Sequence, residues 1–248
     1  YYAPDFQASR TRTNVYSAPL YVRPTDLVSD PSTGTPLGRQ MANGDIKPWP
    51  ARQELMGSGE LDGTELVWAK DELDAYIIHV NGSARLRLQD GEIMYIGYAG
   101  KTDQEYTGLG GSVLKAGLLP PEKLSLRAIR RLYDKNPETI QALINKNESF
   151  VFFKEYEGGN WPAGSLGVPV TAQRSVATDK KIFPRGGVVL VDTTVRSLTG
   201  EKKTFTQFMS DQDTGGAIRA PGRADLFMGV GPTAGIKAGG QYAEGKLY

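Results

Sequence analysis

Residues 211–235, DQDTGGAIRAPGRADLFMGVGPTAG, decide the reading of this chain. Two carboxylates, Asp213 and Asp225, stand on either side of a Gly-rich segment, and GVGPTAG follows them. Gly215-Gly216 predicts a tight turn into a short apolar piece, Ala217-Ile218, and Pro221-Gly222 predicts a second turn. Asp225 falls just before Leu226-Phe227-Met228, which reads as a buried strand. A carboxylate at the mouth of a strand, framed by glycines that leave room above it, suits work on a bulky substrate. More often such aspartates cap turns, and spacing alone favours that plainer reading.

The rest of the composition narrows the chemistry. At 248 residues the chain is long enough for a substantial core, in one large domain or two small ones. Lys and Arg number 29 against 28 Asp and Glu, a net charge of +1. That balance gives no strongly basic face for phosphate backbones, so nucleic acid is not an expected partner. A glycan with little charge per unit is compatible with it. There is no cysteine and one histidine, His79, which excludes a Cys nucleophile, a Cys metal site and a disulfide framework. A Ser-His-Asp triad would have to use His79, which alternates with Ile78 and Val80 in an apolar run and reads as a strand residue. No apolar run reaches the roughly 18 residues of a spanning helix, and no signal peptide is visible. The abrupt start at Tyr1-Tyr2 and an end inside a strand-like piece suggest a chain trimmed at both ends.

Residues 1–60 are rich in Pro, Arg, Ser and Tyr, and read as a folded but loop-rich entry with short strands such as 18–22. Residues 74–80 and 84–89 read as strands, with Asp90-Gly91 as a hairpin turn into a strand at 93–98. Helices are expected over 110–118, after a Ser125 cap, and from Asn136-Pro137 onward. Arg127, Arg130 and Arg131 then lie on the wet face of the second helix. A strand at 150–154 leads into the loop EGGNWPAGSLG, residues 157–167. Trp161 there suits either stacking on a sugar or packing on its own domain. Short strands follow at 168–172, 175–178, 188–191, 204–209, 217–218, 226–228 and 247–248, a texture that favours a compact barrel.

The run D-T-G-G-A-I, a basic residue, a short turn, then D-L-F-M-G-V-G resembles the signature of the MltA family of membrane-bound lytic murein transglycosylases. Tyr1-Tyr2-Ala3-Pro4, Val80-Asn81-Gly82-Ser83-Ala84, Tyr98-Ala99-Gly100-Lys101, Ser149-Phe150-Val151-Phe152-Phe153, Ser175-Val176-Ala177-Thr178-Asp179 and Gly245-Lys246-Leu247-Tyr248 are similar to further family motifs, in family order. The resemblance implies a mainly β fold in two domains with a groove between them. Residues 1–4 and 157–248 would form a six-stranded double-psi β-barrel. Residues 5–156 would be an inserted domain with a small β-barrel or sheet and a few helices.

It also implies a reaction on peptidoglycan glycan strands: cleavage of the β-1,4 bond between MurNAc and GlcNAc, with 1,6-anhydroMurNAc as the new end. By motif position Asp225 would be the single acid and then base, its pKa lifted by the apolar Ala224, Leu226 and Phe227. Asp213 would be the second groove carboxylate, with Asp179 in a third family-like position taken as structural. Tyr1, Asn81, Ser83, Tyr98, Lys101, Gly215 and Gly216 would contact substrate, although position 81 departs from the family Gln and Asn reaches less far. No metal and no cofactor is implied. A monomer in the periplasm is expected, held at the outer membrane by an N-terminal lipid anchor outside this sequence. A hydrolase resembling endoglucanases, or a non-catalytic, expansin-like peptidoglycan-binding protein, stays open beside this reading.

Overall fold

The computed structural model describes residues 1–248 except Ser32, Ala217 and Gly240. In chain order the first part runs β1 (Asp5–Ser9), β2 (Ala18–Tyr21), β3 (Leu27–Ser29), β4 (Pro36–Gln40), β5 (Ile46–Lys47), α1 (Arg52–Ser58), β6 (Glu65–Ala69), α2 (Glu72–Asn81), β7 (Ser83–Leu88) and β8 (Ile93–Lys101). It continues with α3 (Leu109–Lys115), α4 (Leu126–Lys135), α5 (Pro137–Ile144) and β9 (Val151–Tyr156). The remainder is β10 (Ser175–Ala177), β11 (Val188–Arg196), β12 (Lys202–Asp213), β13 (Asp225–Leu226), α6 (Gly231–Gly239) and β14 (Lys246–Leu247). The chain is mainly β with few helices, as expected. Among the described residues no helix is long and apolar enough to cross a membrane.

Six strands in the order β2-β6-β1-β7-β8-β9 form one sheet, and a bridge between Val22 and Phe153 brings its two edges together. The sheet is thus a nearly closed barrel, which leaves little unpaired edge. It lies wholly within residues 5–156. Its interior is filled by alternating side chains, including Leu86, Met94, Ile96 and Phe153, with Ile78 of α2 plugged against them. Helices α2 to α5 share a second core around Leu73, Val113, Ile129 and Ile140. A small sheet, β3-β4-β5, sits beside the barrel. The C-terminal residues make a five-stranded sheet, β13-β10-β12-β11-β14. Residues 1–3 run along it: Ala3 donates to Gly229, Gly231 to Ala3 and Met228 to Tyr1.

Several local expectations change. Residues 74–80 are helix α2, not a strand. Asp71 caps it by accepting from the Asp74 N–H, and Gly82 ends it in the left-handed region at φ 69°. Every residue from Leu73 to His79 is buried, so the helix has no polar face and its pattern mimics a core strand. The hairpin turn does fall at Asp90-Gly91, but four residues, 89–92, separate β7 from β8. Residues 168–172 form no strand, only a bridge between Ala163 and Pro169. The piece at 217–218 includes Ala217, which lies outside the described residues, and Ile218 is buried without strand pairing. Helix α6, GPTAGIKAG, has three glycines in nine residues and poor intrinsic propensity. It forms because it packs: Ala234 is buried, and a Cβ on Gly235 would stand 3.0 Å from the Tyr2 ring.

Of the three arginines placed on a wet face, Arg127 and Arg131 are exposed, whereas Arg130 clamps two helices together. Its guanidinium donates to both Asp71 oxygens at 2.9 and 2.7 Å and also to Asp74. Burial, with the neighbouring Asp71, pushes the Asp74 carboxyl up to about 6, and Arg130 only partly offsets this. Asp74 is therefore ionised above that pH and needs the cation there. Arg130→Ala should cost about 2 kcal/mol of stability. Thermal unfolding should show a larger loss at pH 8 than at pH 5, where Asp74 takes a proton instead.

Candidate active site

Strand β10 sets the geometry. Its Ala177 pairs with Asp225 of β13 on one side and with Asp213 of β12 on the other. The two aspartates thus lie in one row across the sheet, their backbones roughly 10 Å apart by two strand spacings.

Asp213 is held by fixed donors. Its Oδ1 accepts the backbone N–H of Ser165 at 2.9 Å and of Thr214 at 2.8 Å. The Ser165 contact depends on Gly164, where an added Cβ would stand 2.5 Å from the Gln212 carbonyl oxygen. The Tyr1 ring packs on Phe227 at 5.2 Å between centroids and its buried hydroxyl faces Asp213. Burial, and next the Asp213 charge, push the Tyr1 hydroxyl far above its ordinary pKa. Burial also holds the Asp213 carboxyl above its usual value, against the pull of the Thr214 and Ser165 N–H groups and the Tyr1 hydroxyl.

Asp225 is held differently. Arg223 donates to both of its oxygens, Nε to Oδ1 at 2.9 Å and Nη2 to Oδ2 at 3.0 Å. Leu226 and Phe227 are buried beside it as expected, but the Asp225 side chain keeps 27% of its surface exposed. The sequence reading passed over Arg223. Its signal was present: a basic residue two positions from a carboxylate, after a Pro-Gly turn.

The surrounding loops are laced. Asp211 is 1% exposed, accepts from Thr178 Oγ1 at 2.7 Å and pairs with Lys180. Thr214 Oγ1 donates to the Thr178 carbonyl at 2.9 Å. Asp179 accepts from the N–H groups of Lys181 and Ala220, each at 3.0 Å, which hold its carboxyl below the usual range. The second of these bonds fixes Ala220 at φ 70°, a left-handed conformation rare for a residue with a Cβ.

The barrel faces this loop region. Lys101, at the end of β8, has its pKa lowered by burial and then by Arg219. A Cβ on Gly216 would lie 3.8 Å from the Tyr106 side chain, and one on Gly215 would lie 3.3 Å from Ile218. Neither glycine sits at positive φ, so what both supply is room. Tyr1, Asp213, Asp225, Gly215 and Gly216 therefore belong to one region, with Lys101 on the barrel side near Arg219. Asn81, Ser83 and Tyr98 form a second group. Asn81 Nδ2 donates to the Ile77 carbonyl at 2.8 Å within α2, Ser83 pairs with Gly97, and Tyr98 is 44% exposed. Among the described residues no hydrogen bond or ion pair joins this group to either aspartate.

Two other candidates are structural. His79 is a helix residue, buried against Phe150 and Phe153, with Nδ1 accepting from the Val151 N–H at 3.2 Å. Burial, then Arg52, hold it well below its ordinary pKa, so it stays neutral. Trp161 lies 4.9 Å from Tyr95 and donates to the Ile96 carbonyl at 2.8 Å, which ties the connecting loop to the barrel. Among the described residues no group of three His, Asp or Glu side chains is placed to hold a metal.

A barrel-like sheet beside a second sheet that carries two aspartates in one row defines a mainly β protein with a carboxylate site. Residues 1–154 match the family model described as the MltA specific insert domain, and residues 174–248 match the 3D domain. The chain belongs to the MltA family. It is 36% identical, over 78% of its length, to the membrane-bound lytic murein transglycosylase A of Vibrio cholerae, and spans 53% of that relative. The chain thus covers about half the length of this relative, and 63% of the Escherichia coli one. Among solved structures, the membrane-bound lytic murein transglycosylase of Agrobacterium tumefaciens is similar over the whole chain and 71% of its own, with 31% identity and a TM-score of 0.85. E. coli MltA with bound chitohexaose is similar over the whole chain and 70% of its own, with 27% identity and a TM-score of 0.81.

The raised Asp213 carboxyl makes a signed prediction. The folded protein binds this proton more tightly than the unfolded chain does, so the ionised form is the penalised one. The penalty is absent below the ordinary value of 3.8 and grows as pH rises through the folded value. Asp213→Asn keeps an oxygen for the two N–H groups and removes the charge. Its melting temperature should exceed that of the unsubstituted protein at pH 7, with the gap closing toward pH 3.5. A gap of equal size at every pH would contradict this.

Proposed function

We propose that this protein is a lytic transglycosylase that cleaves the β-1,4 bond between MurNAc and GlcNAc in peptidoglycan glycan strands and leaves a 1,6-anhydroMurNAc end. The observation that carries the reading is Asp225: a partly exposed carboxylate on β13, inside the segment that matches the 3D domain, beside a region faced by the barrel. The names of the relatives, and the chitohexaose bound to E. coli MltA, support a glycan as the ligand. Residues 1–4 with 157–248 would be the catalytic domain and residues 5–156 the inserted one, with the glycan lying between them.

The chemistry needs a proton on the leaving oxygen and relief of positive charge at C1. Asp225 supplies the proton. The MurNAc C6 hydroxyl then attacks C1, which makes the second step effectively unimolecular and removes the need for an activated water. The ionised Asp225 takes the C6 proton and is restored. Asp213, immobile and shielded, shapes the field beside it. Gly215 and Gly216 leave room for the sugar, Tyr1 and Lys101 line the same region, and Asn81, Ser83 and Tyr98 would meet more distant units of the strand. The protein would act as a periplasmic monomer, anchored by lipid at the outer membrane.

Mass spectrometry of muropeptides released from purified sacculi tests the reading. The unsubstituted protein should yield anhydro-muropeptides. Asp225→Asn should lower the yield by at least about 100-fold, the low end of what a positioned acid contributes. Reducing ends would mark a hydrolase, and binding without any product would mark a peptidoglycan-binding protein.

A further inference from the structure

We propose that Arg223 is a positioning residue for the acid: a latch that holds both oxygens of Asp225 and that an entering glycan displaces. This rests on the reading of Asp225 as the acid. Two observations lead to it.

The first is the fork itself, with bonds of 2.9 and 3.0 Å to the two oxygens. A guanidinium has donors only and keeps its charge, so an oxygen that accepts from it cannot also direct a proton toward it. A carboxylate gripped in this way is aimed, and an acid that is to protonate a glycosidic oxygen needs at least one oxygen released.

The second is the contrast between the two aspartates. Asp213 accepts from backbone N–H groups of Ser165 and Thr214, donors that cannot leave without moving the chain. Asp225 accepts from a side chain that is 49% exposed, two residues away, on the exposed turn at Pro221-Gly222. Such an exposed, local ion pair is weak enough for a ligand to open. The site therefore pairs one carboxylate that is permanently fixed with one that is releasable.

Kinetics on soluble glycan strands test the latch, with Arg223→Ala and Arg223→Lys each checked for an unchanged circular dichroism spectrum. Removing a contact that substrate must break should lower KM roughly two- to five-fold with kcat not reduced. Arg223→Lys, a single ammonium that cannot fork, should fall between the two. A fall in kcat for both variants, with the fold intact, would overturn the proposal. A second readout does not need turnover: the Arg223 Nε–H resonance of the unsubstituted protein during titration with chitohexaose. Its shift should move away from the carboxylate-bonded position as the groove fills, and a resonance unmoved at saturation would overturn the latch. If the resonance moves but sacculi yield no anhydro product, the transglycosylase reading fails while the latch stands.

Discussion

The pairing of residues 1–3 with residues 226–231 is the constraint on which the rest of this structure depends. Met228 donates to Tyr1 at 2.8 Å, Ala3 to Gly229 at 2.9 Å and Gly231 to Ala3 at 2.8 Å. These bonds join the two ends of the sequence, and two residues later the same chain has become β1, inside the barrel sheet. Arg85 of β7 donates its N–H to the Pro4 carbonyl, and Asp5 collects Arg85 and Arg87. A short extended segment thereby fixes the barrel to the C-terminal sheet. It also delivers the Tyr1 ring to Phe227. The contacts span more than 220 residues of sequence, so they are costly in chain entropy to form and are secured by the cores on either side.

Around that join, the polar groups are satisfied in two distinct ways. Asp179, Asp211 and Asp213 are engaged by backbone N–H groups, a threonine hydroxyl and the largely buried Lys180, donors that belong to the framework. Buried carboxylates need such partners, because an unpaired one would be expelled or neutralised. Asp225 alone among these is held by a partly exposed side-chain cation, Arg223, next to the Pro221-Gly222 turn. Framework donors around three of these carboxylates keep the floor of the candidate site in one shape, which is what electrostatic preorganisation requires.

The cores explain why the barrel can act as a fixed wall. Phe150, Phe152 and Phe153 are fully buried, and His79, Arg52 and Tyr76 fill the space against them. Arg52 is buried with its guanidinium over Phe150 and donating to the Ser149 carbonyl at 3.0 Å. Burial lowers its pKa to about 10, which still leaves it charged at neutral pH. The motif Ser149 to Phe153 therefore anchors β9 and the end of β8, where Lys101 pairs with Val151.

Much of this was legible in the residues alone. Caps at Ser125 and Asn136-Pro137 marked α4 and α5, because capping is local and needs only the chain's own N–H groups. The glycine- and aspartate-rich run of 211–235 marked the candidate site, because few sequences can hold carboxylates beside open backbone. What tertiary structure decided was everything that depends on distant partners. Helix α2 looked like a strand because burial on all sides erases the polar face that separates the two periods. Helix α6 was invisible because its glycines favour no helix until Tyr2 packs on them. Arg130 left the solvent for Asp71 and Asp74, and Arg223 took hold of Asp225. The sequence by itself determined which carboxylates stand ready; only the fold decided which donors reach them, since charge and burial are settled by neighbours brought from elsewhere in the chain.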